Sequence, residues 1–169
     1  YEQVLALATA QRPRAVLIGG DLAPPGTGAP GVSHQRVFLE GFLVEFARRL
    51  HEAVPGVELL LLMGNDDWAA NHDVLECYDG DLWRALHARA IQIHGVWVAG
   101  LSWVPITPFA IKDWERWEDG ADESPARLHG LLSGGDGVRE FRFDPEQRTP
   151  TIAQGLAELA TLSPPGETV

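Results

Sequence analysis

The residues best equipped for chemistry lie in "LLLLMGNDDW", residues 59–68, where five apolar residues and a glycine run into Asn65, Asp66 and Asp67. An earlier stretch, "AVLIGGD", residues 15–21, has the same build: a short apolar run, two glycines, then Asp21. Two strands that deliver a carboxylate from one end and an amide with two carboxylates from the other would gather several hard oxygen donors at one spot. Divalent cations such as Mg²⁺ and Mn²⁺ take such donors, and a carboxylate lying between two of them can bridge both. Gly-Asn-Asp after a strand is also a favourable turn in its own right, because Gly and Asn tolerate positive φ and Asp bonds its own backbone. What favours a site over a pair of turns is that both loops occupy the same topological position.

That position depends on the elements around them. "YEQVLALATAQR", residues 1–12, places Val4, Leu5, Leu7 and Ala8 at helical spacing and runs into Pro13. After "AVLIGGD" come a loop rich in Pro and Gly and a predicted helix from about Gln35 to Ala53, with Val37, Phe38, Phe42, Val44 and Leu50 as its apolar residues. "VELLLLM" then reads as a strand buried on both faces. Strand, helix, strand is the unit that joins two parallel neighbours by a crossover, and in open α/β sheets the ligand crevice lies outside the carboxyl ends of such strands. With the strands about 4.8 Å apart, both loops reach one ion. Glycines at 19, 20 and 64 would let the backbone turn sharply and come close to a ligand. Further on, the pattern predicts a helix over 74–90, a strand pair turning at His94-Gly95, and a long aromatic and acidic insertion over 105–137. Strand character returns in "REFRF", "TIAQGLAELATL" reads as a last helix, and "SPPGETV" as a linker entering a new strand.

Composition sets the frame. With 169 residues, 45% of them hydrophobic, the chain is long enough for one domain with a real core. Its 24 acidic against 13 basic residues give a net charge of −11, which repels phosphate backbones unless metal ions reverse the local field, so a sequence-specific nucleic-acid partner is not expected. A lone Cys77 cannot form an internal disulfide, so the fold needs no oxidising compartment and a cytoplasmic location is expected. No apolar run approaches the roughly 18 residues of a membrane span, so no membrane partner is expected. The chain opens at Tyr1 rather than Met and carries no signal-peptide pattern.

"LIGGDLAP", followed some forty residues later by "LLMGNDDW", resembles the second and third motifs of the calcineurin-like metallophosphoesterases, Gly-Asp and Gly-Asn-His-Asp/Glu, each after a hydrophobic strand. The family's first motif, Asp-x-His, would fall upstream of Tyr1, and its last motifs after "SPPGETV". The resemblance therefore implies that residues 1–169 are a single, incomplete catalytic domain, expected to be inactive alone. Its implied fold is α/β, a two-sheet β-sandwich flanked by helices. Its implied cofactors are two divalent metal ions, manganese foremost, with Fe, Zn or Mg as alternatives, and its substrate a small phosphate ester, mono- or diester. The resemblance makes Asp21 the bridging metal ligand, and makes Asn65 a ligand of the second metal that also touches the substrate phosphate. It sets Asn65, Asp66 and Asp67 in the catalytic third motif, with Asp67 at the acidic position that orients the family's histidine. Asp66 departs from the pattern, since most members have His there as proton donor to the leaving group. Two nearby cations favour an ionised carboxylate, which makes Asp66 a poor general acid near neutral pH.

Other residues are weaker pointers. The six histidines form no His-x-His or His-x₃-His pair; His34 and His72 lie close in sequence to the two loops and are the candidates to replace the missing donor. "PFAIKDWERWEDG", residues 108–120, reads either as a lid offering stacking and cationic contacts or as an insertion anchored by its aromatics. "SGGDG", residues 133–137, has no buried strand before it and reads as a turn. A nucleotide-binding domain of another kind is disfavoured because neither a Gly-x-Gly-x-x-Gly nor a P-loop is present. The altered third motif supports one alternative to an enzyme, a non-catalytic scaffold or binding protein on the same fold.

Overall fold

A computed structural model describes residues 1–119 and 127–162; the segment "SPPGETV" lies outside the described residues. The chain is mixed α/β. Helix α1 (Glu2–Gln11) leads into strand β1 (Ala15–Ile18), then a helical stretch of α2 (Gly28–Phe38), a π turn (Leu39–Leu43) and α3 (Val44–Ala53), then β2 (Glu58–Leu61). A 3₁₀ turn (Ala69–Asn71), α4 (His72–Cys77), β3 (Arg84–Ala85), β4 (Arg89–Ile93) and β5 (Val96–Gly100) follow, and then β6 (Val104–Pro105), β7 (Glu115–Arg116), β8 (His129–Gly134), β9 (Gly137–Arg142) and α5 (Ile152–Ala160). Among the described residues the strands form one three-stranded parallel sheet, β1-β2-β3, and three two-stranded sheets, β4-β5, β6-β7 and β8-β9.

The strands expected to end near Ile18 and Met63 are parallel neighbours, with Ile18 opposite Leu61. Leu59 and Leu61 on one face of β2 enter the main core with Phe46, Ala47 and Leu50, while Leu60 on the other face packs against Leu86 and Ile93. Burial on both sides explains the unbroken leucine run, each side chain contributing about 1.5–3 kcal/mol. β1 differs: it is the sheet edge, and its Leu17 is 56% exposed.

The long helix begins at Gly28, seven residues before its expected start; Val44 and Leu50 are buried as expected, but before them the core face is not the one that a 3.6-residue repeat selects. Gly31, Gln35, Leu39, Leu43, Phe46, Ala47 and Leu50 are buried, whereas Val37 is 68% exposed. The π turn accommodates an extra residue, so the buried stripe advances by fours through Leu39 and Leu43 instead of falling on Phe38 and Phe42. Those two phenylalanines stack on each other, centroids 4.8 Å apart, and Phe42 meets the Tyr1 ring edge-on.

The helix expected over 74–90 ends at Cys77. The reason is the Asp79-Gly80 turn: Gly80 takes φ 84°, and the Asp79 carboxylate accepts from Ala85 N–H at 2.9 Å, fixing the entry to β3. The His94-Gly95 turn is found as expected, both residues at positive φ between β4 and β5. "SGGDG" is the turn joining β8 to β9, which contains most of "REFRF". The last helix starts at a reciprocal cap, Gln154 N–H to Thr151 Oγ1 and Thr151 N–H to Gln154 Oε1. No helix among the described residues is long and apolar enough to cross a membrane.

Candidate functional site

The parallel register continues for one step past the strands, through a bond from Leu62 N–H to Ile18 O at 3.0 Å. The chains Gly19-Gly20-Asp21 and Met63-Gly64-Asn65 then leave the sheet side by side. Gly20 and Gly64 touch through their main chains: a Cβ on Gly20 would lie 2.7 Å from Gly64 Cα, and one on Gly64 would collide with the Asp21 carboxylate and amide. Asp21 itself takes φ 51°, a left-handed conformation that Asp tolerates better than most residues. Its Oδ1 accepts from Asp66 N–H at 3.2 Å, so the two loops hold each other directly. They border a cavity of about 240 Å³ lined by Asp21, Asn65, Met63 and the three glycines together with Leu101, Ser102 and Val104.

Asp67 does not line this cavity. It is fully buried beneath the loops, where its carboxylate accepts from the N–H groups of Leu22 (2.9 Å), Ala23 (3.0 Å) and Gly64 (2.9 Å). One side chain thus fastens the loop after β1 to the loop after β2. Burial pushes its carboxyl upward, and the three backbone donors pull the other way. Asp66 is also pushed up, first by burial and then by the charge of Asp21. Its side chain lies 3.4 Å from Asn65 Nδ2.

Two positioning residues, Gln35 and Asp113, had no local sequence signal. Gln35, buried on α2, donates to Asp66 O at 2.7 Å and accepts from Trp68 N–H at 2.9 Å. Asp113 accepts from Ala69 N–H at 2.8 Å and from Ser133, and Trp114 Nε1–H donates to Asp67 O at 2.9 Å. Residues of the 105–137 segment therefore clamp the loop after β2. Trp114 and Trp117 are buried and Phe109 is 53% exposed, and Arg116 lies over the Trp103 ring at 4.8 Å. Anchoring by aromatics is the outcome for the described part of the insertion.

His34 and His72 do not reach the cavity wall. His34 is exposed on α2; His72 packs edge-on against His87 and Trp114, each about 5.8 Å away between centroids. His87 Nδ1 accepts from Ser102 N–H at 3.1 Å, and burial pushes its imidazole down to about 4. The sign follows directly. An unfolded His near 6.5 binds a proton that the buried ring refuses, so its contribution is complete above about pH 6.5 and is lost as pH falls through 4. The stability gap between wild type and His87→Gln should shrink from pH 7.5 to 4.5 by on the order of 1 kcal/mol, a value discounted for partial exposure of the ring. Thermal unfolding of both proteins at the two pH values measures this, and a constant gap would show that His87 is not held neutral by its surroundings.

Chemically, the cavity offers Asp21 and Asn65 from adjacent strand ends, and among the described residues no lysine or arginine lines it. A carboxylate and an amide oxygen are donor types that a hard divalent cation takes. Among the described residues no three His, Cys, Asp or Glu side chains are grouped so that they could hold a metal ion. Comparison with protein-family models, with curated proteins and with solved structures finds no match to this chain.

Proposed function

We propose that this chain contributes the central part of the catalytic site of a metal-dependent phosphoesterase of the calcineurin-like kind, hydrolysing a small phosphate ester at a dinuclear centre. The observation that carries the reading is the meeting of Asp21 and Asn65 at the carboxyl ends of two adjacent parallel strands, held by the Gly20–Gly64 contact and the bond from Asp66 N–H to Asp21. The reading brings with it the two-sheet layering of that family. Asp21 and Asn65 would hold the ions, which supply charge neutralisation at the phosphoryl group and a water of lowered pKa. Asn65 would also orient the phosphoryl group, while Asp67 fixes both loops from below. Asp66 sits where a histidine would serve as proton donor; beside cations it stays ionised, so esters with good leaving groups are the expected substrates.

A second reading, a non-catalytic binding protein on the same fold, is favoured by Asp66 and by the partial donor set. One substitution separates the two. Asp21→Asn keeps an oxygen for Asp66 N–H and tolerates the left-handed backbone, so folding should be spared, with a melting temperature within about 2 °C of wild type. In the native protein with Mn²⁺ and an activated aryl phosphodiester, it should lower kcat/KM at least about a thousandfold. Asn65→Ala should impair turnover severely as well. Equal rates in wild type and both variants would remove the phosphoesterase reading, and a wild type that binds Mn²⁺ without turnover would leave the binding protein.

A further inference from the structure

His87 lies in the turn between β3 and β4, where its main chain bridges to Gly100 at the end of β5. Its ring reaches two residues beyond that bridge: Ser102 N–H donates to Nδ1 at 3.1 Å. A main-chain amide has no lone pair to offer, so Nδ1 is the acceptor and the neutral ring carries its proton on Nε2. This bond ties down the chain that leaves β5, whose Leu101 and Ser102 line the cavity bordered by Asp21 and Asn65. Further on, Val104 N–H donates to Trp114 O at 2.9 Å, a bond without a titratable partner.

Burial is the main obstacle to a charge on this ring, and the neighbours add to it. Trp114 meets it edge-on with centroids 4.8 Å apart, and Trp103 lies tilted at 6.2 Å. Its ionisable neighbours are His72 of α4, centroids 5.8 Å away, Arg116 of β7 and Arg89 of β4, each of which disfavours the imidazolium further. Glu76 and Asp73 bear on His72, whose Nδ1 is 3.8 Å from Glu76 Oε1. A proton that does enter the His87 ring goes to Nδ1, the one nitrogen with a lone pair to offer. An N–H then faces an N–H, and the bond to Ser102 cannot survive the change.

We propose that His87 is an acid-sensitive latch on this cavity: proton uptake at Nδ1 breaks the bond to Ser102 N–H and releases residues 101–103, so that the cavity has a fixed wall at neutral pH and a loosened one in acid. The device consists of one ring and one amide, and it stands whether or not a metal or a phosphate ester occupies the cavity. Its size follows from linkage. The latched ring titrates at about 4 and a released one near 6.5. Lowering the pH from 7.5 to 5 therefore raises the released fraction by about ten- to thirtyfold, the lower figure allowing for the ring's partial exposure.

The test is amide hydrogen exchange by NMR on the native protein at pH 7.5 and 5, with rates corrected for the intrinsic chemistry of exchange. Ser102 N–H should exchange through a local opening, faster than that of the buried Leu61 in β2 at both pH values, and its opening constant should rise about ten- to thirtyfold in acid. In His87→Asn the side-chain oxygen takes the place of Nδ1 as an acceptor that does not titrate, so that rise should disappear while Ser102 stays protected. The ring nitrogen shifts of the wild type give a check that needs no variant: at pH 7.5 Nδ1 should be unprotonated and Nε2 protonated. An opening constant for Ser102 that does not change with pH overturns the latch. So does an equal rise in His87→Asn, which puts the titrating group elsewhere, and so does a common rate for Ser102 and Leu61, which makes the opening global unfolding. A proton on Nδ1 at pH 7.5 overturns it outright.

Discussion

Asp67→Ala should lower the melting temperature by about 10–20 °C, whatever it does to activity. The substitution strands three buried backbone donors at once, those of Leu22, Ala23 and Gly64. Each unpaired donor costs about 1–3 kcal/mol, and with partial relaxation the sum falls near 4–6 kcal/mol. For a chain of this length 1 kcal/mol moves the midpoint by about 2–4 °C. Asp67→Asn should fall between the two, because the amide keeps one acceptor oxygen but turns an NH₂ group toward backbone donors. Differential scanning calorimetry decides the matter. A midpoint within about 3 °C of wild type for the alanine variant would mean that the loops are held by something other than this carboxylate.

The second large effect concerns Lys112 and Glu115, a fully buried ion pair with Nζ to Oε2 at 2.7 Å. Lys112 also donates to Thr107 O at 2.7 Å, and the Thr107 hydroxyl donates to Glu115 Oε1. Burial pushes the Glu115 carboxyl up, against the pull of the lysine and the threonine. Lys112→Met should cost about 3–5 kcal/mol, because it leaves a carboxylate buried without its cation. The double variant Lys112→Met/Glu115→Leu should return to within about 1–2 kcal/mol of wild type, since neither charge is then stranded. A double-mutant cycle by chemical denaturation measures the coupling, and additive losses would sink the argument. Glu115 belongs to β7, which pairs with β6, and Val104 of β6 forms part of the cavity wall. Loosening the pair should therefore also be felt at the cavity.

How far these features could be read from the sequence depended on how local their causes are. The loops at Asp21 and Asn65 were legible because hydrophobic strand, glycine and polar residue follow one another directly, and the parallel pairing followed from the strand-helix-strand order. The His94-Gly95 turn and the last helix were legible for the same reason. The π turn was not: a period of 3.6 carried through it selects Phe38 and Phe42, while the fold buries Leu39 and Leu43. Asp79-Gly80 did carry a turn signal, overridden by the helical spacing around it. Gln35, His87, Ser102 and Asp113 acquire their roles from partners that are 15 or more residues away in the chain, which no local pattern records. Asp67 was marked as a site residue, but its place beneath the loops, facing three amides, emerges only in three dimensions.

The contact between Gly20 and Gly64 works as a gauge block. With no side chain between the two loops, their separation is set by the thickness of two peptide backbones and not by any residue that evolution can resize in small steps. The same construction makes the two glycines intolerant. Even an alanine at either position is a shim of one methyl group, and the Asp21 and Asn65 loops would have to part to admit it.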